Sequence, residues 1–196
     1  IYTLFLSCGN DRKVDTTNRS PWVFYPGKGL SGVDGDVYAL ASIDSILYVG
    51  GKLKYAGQAR VEHLAQWDGR VWSAVGEGCS GPVYHLAVDS QKNVFALSLN
   101  GIFHRLQKWN GSQWQILIDS LYGSVNKMGV DRHNNLWLAG NYRIDSLMVE
   151  SAAFWNGSVW TEAEGSGLPI IGNQGQVFEV FYDEEQAKMV GVTKVL

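Results

Sequence analysis

The residues able to do chemistry are few and scattered. His63, His85, His104 and His133 are the candidate metal ligands and general bases. No two stand in the His-x-His or His-x-x-x-His spacing that puts two imidazoles on one face, so no metal site is predicted. Cys79 lies in Gly76-Glu77-Gly78-Cys79-Ser80-Gly81, with no adjacent Lys, Arg or His to lower its pKa. It reads as a small loop residue. No Gly-x-Ser-x-Gly elbow or phosphate loop occurs. Segments 89–93, 131–135 and 183–187 each open with an Asp. Further carboxylates at calcium-ligand spacing are missing. Each Asp is expected to bond backbone N–H groups two or three residues on and close a turn. No catalytic residue and no cofactor is predicted.

The elements that hold these residues come from a repeat. Trp67-Asp68-Gly69-Arg70-Val71-Trp72 recurs as Trp109-Asn110-Gly111-Ser112-Gln113-Trp114 and as Trp155-Asn156-Gly157-Ser158-Val159-Trp160, at intervals of 42 and 46 residues. These motifs hold six of the eight tryptophans, so chance is a poor explanation. Before each motif stand two apolar segments. The first begins at Val37, Val83 and Val125, and again at Val177; the second begins at Leu47, Val94 and Leu136, and again at Met189. Each unit therefore holds four short strands, a to d. Strands c and d meet at Asp-Gly or Asn-Gly, the signal of a type I′ hairpin turn, which needs positive φ at both central residues.

Four strands per 40 to 50 residues, with aromatic signatures, describe the blades of an all-β propeller. Complete units are expected at about 37–75, 83–118 and 125–164, with a partial one at 177–196. Trp22-Val23-Phe24-Tyr25 reads as a lone d strand. The chain is thus read as a fragment with partial blades at both ends. The paired tryptophans are expected to pack between blades; an exposed platform for sugars is the sharper alternative.

Composition agrees with this class. Of 196 residues, 45% are hydrophobic, enough for a core, and 23 are Gly against 4 Pro, as tight turns require. A net charge of −3, with no long Lys/Arg run, argues against nucleic-acid binding. No run of 18 apolar residues occurs. Asn110-Gly111-Ser112 and Asn156-Gly157-Ser158 are sequons, but inside tight turns they read as turn chemistry.

Three resemblances add to this. Leu47-Tyr48-Val49-Gly50-Gly51, then Ala56-Gly57 and Leu64-Ala65-Gln66-Trp67-Asp68-Gly69 up to Trp72, resembles the kelch and galactose-oxidase-like propeller repeats. The third repeat, Asp131 to Leu138, looks more like the sensor propellers of bacterial two-component regulators. At the start, Ile1-Tyr2-Thr3-Leu4-Phe5-Leu6-Ser7-Cys8 resembles the end of a bacterial lipoprotein signal peptide, with Cys8 the lipidated residue. Residues 9–20 are polar and read as a tether, leaving 21–196 as the propeller. The other reading of Cys8 is a buried residue of a first strand. The lipoprotein resemblance implies export and an outer-membrane or cell-surface protein, touching the membrane only through its lipid.

Propellers bind at the face carrying the d–a and b–c loops, here 25–36, 51–60, 76–82, 98–103, 120–124, 140–150 and 165–176. Tyr55, Arg60, Tyr122, Asn141, Tyr142 and Arg143 are the large polar and aromatic groups in these loops, and are the expected ligand contacts. The implied function is a binding module for a protein or glycan ligand. The alternatives are a periplasmic sensor propeller and a carbohydrate-active enzyme. The enzyme would need Asp36, Glu77 and Glu150 to converge at the channel mouth.

Overall fold

The computed structural model describes residues 32–144, 146–149, 152–162, 176–183 and 188–194. Trp22–Tyr25, Cys8, the segment 9–20 and Glu150 lie outside them. Among the described residues every regular element is a β-strand, and the strands pair antiparallel. The fold class is all-β.

The first unit begins with β1 (Asp36–Ile43) and β2 (Ile46–Lys52). A small hairpin follows, β3 (Tyr55–Ala56) and β4 (Ala59–Arg60), and then β5 (Leu64–Trp67) and β6 (Trp72–Ala74). The sheet order β1-β2-β5-β6 is a simple meander. The second unit repeats it with β7 (Val83–Val88), β8 (Val94–Asn100), β9 (Phe103–Trp109) and the start of β10 (Trp114–Val130). The third uses the rest of β10, then β11 (Leu136–Ile144), the short β12 (Leu147–Val149), β13 (Ala152–Trp155) and β14 (Trp160–Glu162). A last hairpin joins β15 (Gln176–Asp183) to β16 (Lys188–Lys194).

Strand β10 corrects the expected loop at 120–124. It runs through that stretch without a break, pairing first with β9 and then with β11, and Leu121 is opposite both His104 and Ile144. Units two and three therefore share one sheet, in the order β14-β13-β11-β10-β9-β8-β7. The reason is local. Ile118 and Leu121 are buried, so the chain crosses between two covered faces, and an open loop there would bury unpaired backbone groups.

The repeat has a signature that no motif displayed. In all four first-to-second strand pairings the register slips by one residue at the same place: Val37/Ala39, Val83/His85, Val125/Lys127 and Val177/Glu179. Each slip is a β-bulge, which re-aims the extra residue and sharpens the twist. The first strands also lie side by side, β1 against β7, β7 against β10, and β10 against β15.

The c–d turns differ from the type I′ expectation. Only the glycines have positive φ, 94° at Gly69, 95° at Gly111 and 100° at Gly157; Asp68, Asn110 and Asn156 do not. Four residues separate the paired Trp67 and Trp72, as they do Trp109 and Trp114, and Trp155 and Trp160. The side chain closes each loop instead. Asp68 Oδ1 accepts the N–H of Arg70 and Val71, both at 2.8 Å. Asn110 and Asn156 do the same for Ser112 and Gln113 and for Ser158 and Val159.

The a–b turns use the expected Asp over a longer reach. Asp89 Oδ1 accepts from Gln91 N at 2.9 Å and Asn93 N at 2.8 Å. Asp131 Oδ1 accepts from His133 N and Asn135 N, while its Oδ2 takes Asn135 Nδ2 at 2.9 Å and the Trp137 indole at 3.0 Å. Positive φ at Lys92 and Asn134 fits both loops to five residues, so the second bond falls four residues on. Neighbouring turns touch. Lys92 Nζ meets Asp44 Oδ2 at 2.9 Å, and Ser90 donates to Asn134 Oδ1. The turn at 183–187 lies largely outside the described residues.

Apolar packing runs between units. Tyr48, Leu64, Val75 and Cys79 of the first unit are buried with Val83, Leu86, Val94 and Ala96 of the second, and Trp109 and Trp114 pack against them. Trp155 and Trp160 pack likewise on the core that joins Phe95, Leu97 and Leu106 to Leu136 and Leu138. These tryptophans are packing residues rather than an exposed platform. Trp114 Nε1 also donates to Val75 O at 3.3 Å.

The Asp131 turn is the most connected of these devices, and Asp131 is buried. Burial pushes its carboxyl up. The Trp137 indole, the Asn135 amide and the backbone N–H groups outweigh that and hold it below the ordinary carboxylate range. Asp131→Ala strands several donors and is expected to destabilise the fold by about 2–3 kcal/mol in urea unfolding. Asp68→Ala, in an exposed turn, should lose far less; equal losses would refute this account of the turn.

Candidate functional site

The expected contact residues divide into three groups. Tyr55 and Arg60 face each other across the β3–β4 hairpin. Both are exposed, and Arg60 donates from Nε and Nη2 to Glu62 Oε1, at 3.1 and 2.9 Å. Tyr122, Asn141 and Arg143 come together on β10 and β11, not on a loop. Tyr122 is opposite Arg143, and Ser124 is opposite Asn141. Tyr142 is a correction. Strand side chains alternate, so between exposed Asn141 and Arg143 it must turn inward. It is buried, and its hydroxyl donates to Leu138 O at 3.0 Å. Burial drives the phenol pKa well up. Its side chain belongs to the core.

The Tyr122 ring is crowded. Phe103 packs on it with centroids 4.4 Å apart, and the Arg143 guanidinium lies 4.7 Å from its centroid. Such a cation–π contact at an exposed site contributes about 0.5–1 kcal/mol and, more usefully, fixes the guanidinium plane. On the other side of Arg143 stands Met148, its cross-strand partner on β12. Tyr122 and Met148 are 43% and 55% exposed. Four strands thus contribute one row, half-buried Phe103 followed by exposed Tyr122, Arg143 and Met148, with exposed Asn141 two residues from Arg143 on β11. Gly123 lets the strands cross here. Its φ is 100°, and a Cβ would sit 2.4 Å from Asn141 O.

A second aromatic group shares strand β9 with it. Tyr38 and Tyr84 stack at 5.2 Å with planes 4° apart, and His104 meets Tyr84 edge-on at 5.8 Å. Tyr38 and Tyr84 are the residues at the repeated bulge. Phe103 and His104 are consecutive on β9, so one strand start holds a ring of each group. Sequence reasoning did not select these residues: Tyr38 and Tyr84 fall in apolar first strands, Phe103 and Met148 lie in the expected loops 98–103 and 140–150 but are apolar, and His104 was weighed only as a metal ligand. The signal was the aromatic that follows Val in Val37-Tyr38 and Val83-Tyr84.

Of the three carboxylates, Glu150 lies outside the described residues. Asp36 opens β1 and accepts from Tyr38 Oη at 3.4 Å, while Glu77 lies in the turn after β6. Among the described residues no group of three His, Cys, Asp or Glu could hold a metal. Burial pushes the Cys79 thiol up to about 12, so it is no thiolate. The sequence reading overlooked one pattern. Gly76-x-Gly78-x-x-Gly81 has the spacing of a dinucleotide loop, yet it joins β6 to β7 and opens no helix to receive phosphate. Its glycines serve packing. A Cβ on Gly76 would lie 2.6 Å from the Trp109 ring, and one on Gly78 2.3 Å from Glu62 O.

A scan against models of known protein families finds no match, and a search of curated proteins finds no similar sequence.

His85 ties the second unit to the third through its Nε2, 3.0 Å from Val125 O. Burial pushes its pKa below the ordinary 6.5, against the pull of that carbonyl, and His104 and Lys127 add to the lowering. The folded state therefore favours neutral imidazole, and stability present above pH 6.5 is lost as pH falls through the folded pKa. The thermal midpoint of the wild type should drop on acidification from pH 7.5 to 5. His85→Gln should flatten part of that drop; an unchanged slope would show that His85 does not report this linkage.

Proposed function

We propose that this chain is a non-catalytic binding module: a run of kelch-like propeller blades, exported and held at the cell envelope by a lipid on Cys8. The single observation that carries binding is the row Phe103–Tyr122–Arg143–Met148 with exposed Asn141. Rings, thioether, amide and cation are the groups that recognition surfaces use, and here they sit on paired strands instead of loose loops. The propeller reading is supported by the repeated meander, the bulge at one position in four pairings and the side-by-side first strands. Export and lipidation rest on the residues around Cys8 alone.

Two experiments test this. Labelled full chain is applied to an array of defined oligosaccharides and to a displayed random-peptide library. Binding to either, weakened by Tyr122→Ala without loss of the folded circular dichroism spectrum, is the expected result; binding to neither rejects the module. For the anchor, the complete gene is expressed in a bacterial host with Cys8 or with Cys8→Ala. The wild type should fractionate with membranes and the variant should not. Equal fractionation would remove the lipid from the proposal.

A further inference from the structure

Resting on that reading, we infer that the occupant of this row is a protein segment presenting an Asp or Glu carboxylate beside an apolar side chain, with the carboxylate on Arg143. The described arginines are not equivalent. Arg60 is neutralised by Glu62 and Arg105 by Asp119, each through a close ion pair. Arg143 has the Tyr122 ring and no carboxylate among the described residues. Its planar fork of N–H donors is held against the ring, and no described carboxylate occupies that fork. Tyr122 on one flank and Met148 on the other are its cross-strand neighbours, so an apolar group next to the acid has a surface to cover.

Two observations favour a peptide over a sugar. The Tyr122 ring is already taken up by Phe103 and Arg143, at 4.4 and 4.7 Å, which leaves its face poorly open to a pyranose. The exposed members of the row are a tyrosine, an arginine and a methionine, residue types enriched at protein interfaces. The backbone beneath is stiff. Leu121 is paired on both sides, so little ordering cost attends binding.

The test selects binders from a random twelve-residue display library on the full chain and measures selected peptides by fluorescence anisotropy. Enrichment in Asp or Glu next to Leu, Ile, Phe or Tyr is expected. Arg143→Ala should weaken binding at least tenfold, and Arg143→Lys should fail to rescue it fully, because an ammonium lacks the fork. Met148→Ala should weaken it less, and Arg70→Ala, in a distant turn, should change nothing. Added salt should weaken wild-type binding and leave the residual binding of Arg143→Ala nearly untouched. Circular dichroism melts confirm that the variants fold. Selected peptides without acidic residues, or full binding by Arg143→Ala, would overturn the inference. Arg143-dependent binding of acidic oligosaccharides with no peptide binding overturns it as well, yet leaves the binding module standing. Silence on both peptides and oligosaccharides removes inference and module together.

Discussion

A four-stranded antiparallel unit has two faces and no helix to cover either, so each unit must press against another. One close point of that approach is at Gly50. A Cβ there would lie 2.6 Å from Val83 Cγ1 of the next unit and 3.1 Å from Leu86 Cδ1. Neighbouring Gly51 serves the same end within the unit, since a Cβ would strike Asp36 O at 1.9 Å where the bulge carries the chain across. Gly140 holds the equivalent place in the third unit, opposite Val125 and its bulge. The double glycine is thus less a sequence emblem than a clearance. One member admits the next unit and the other admits the bulge.

From that clearance the roles of the tryptophans follow. Where the sheets meet, large rings from the third and fourth strands pack against the shared core. Trp109 and Trp114 pack with centroids 5.3 Å apart and lie against the core shared by units one and two. The face of the first unit that bears Val37, Leu47, Val49 and Trp72 is an apolar groove built from the same positions. Those positions in the second unit, Val83, Val94, Ala96 and Trp114, are the ones that meet the first. Repetition of positions, rather than of residue types, carries the architecture.

Turns and strands were legible because their causes are local. An Asp or Asn that caps its own loop, and a Gly that takes positive φ, act within six residues. The type I′ expectation failed for a related reason: the rule assumes a two-residue connection, whereas the Asp68 side chain stabilises a four-residue one. Longer-range facts were hidden. Nothing in Ser120-Leu121-Tyr122-Gly123-Ser124 reveals that Leu121 has a partner on each side, for that depends on how two units meet. The same blindness misplaced Tyr142. Read as a loop residue it belonged with Asn141 and Arg143; on a strand, alternation sends it to the core. Once β11 extends to Ile144, the three candidates cannot share a face.

That failure also bears on the proposed recognition row. Loops of variable length were expected to supply contacts, and two groups there, Tyr55 and Arg60, are indeed on a small hairpin, with Arg60 already committed to Glu62. Tyr122, Asn141 and Arg143 instead stand on the strands that weld two units together. A side chain on such a strand loses little freedom when it meets a ligand, and stacking on Tyr122 removes more of Arg143's freedom beforehand. Preorganisation therefore comes from the inter-unit packing itself. The crossing at Leu121 covers the two apolar faces, and the same crossing fixes the guanidinium above them.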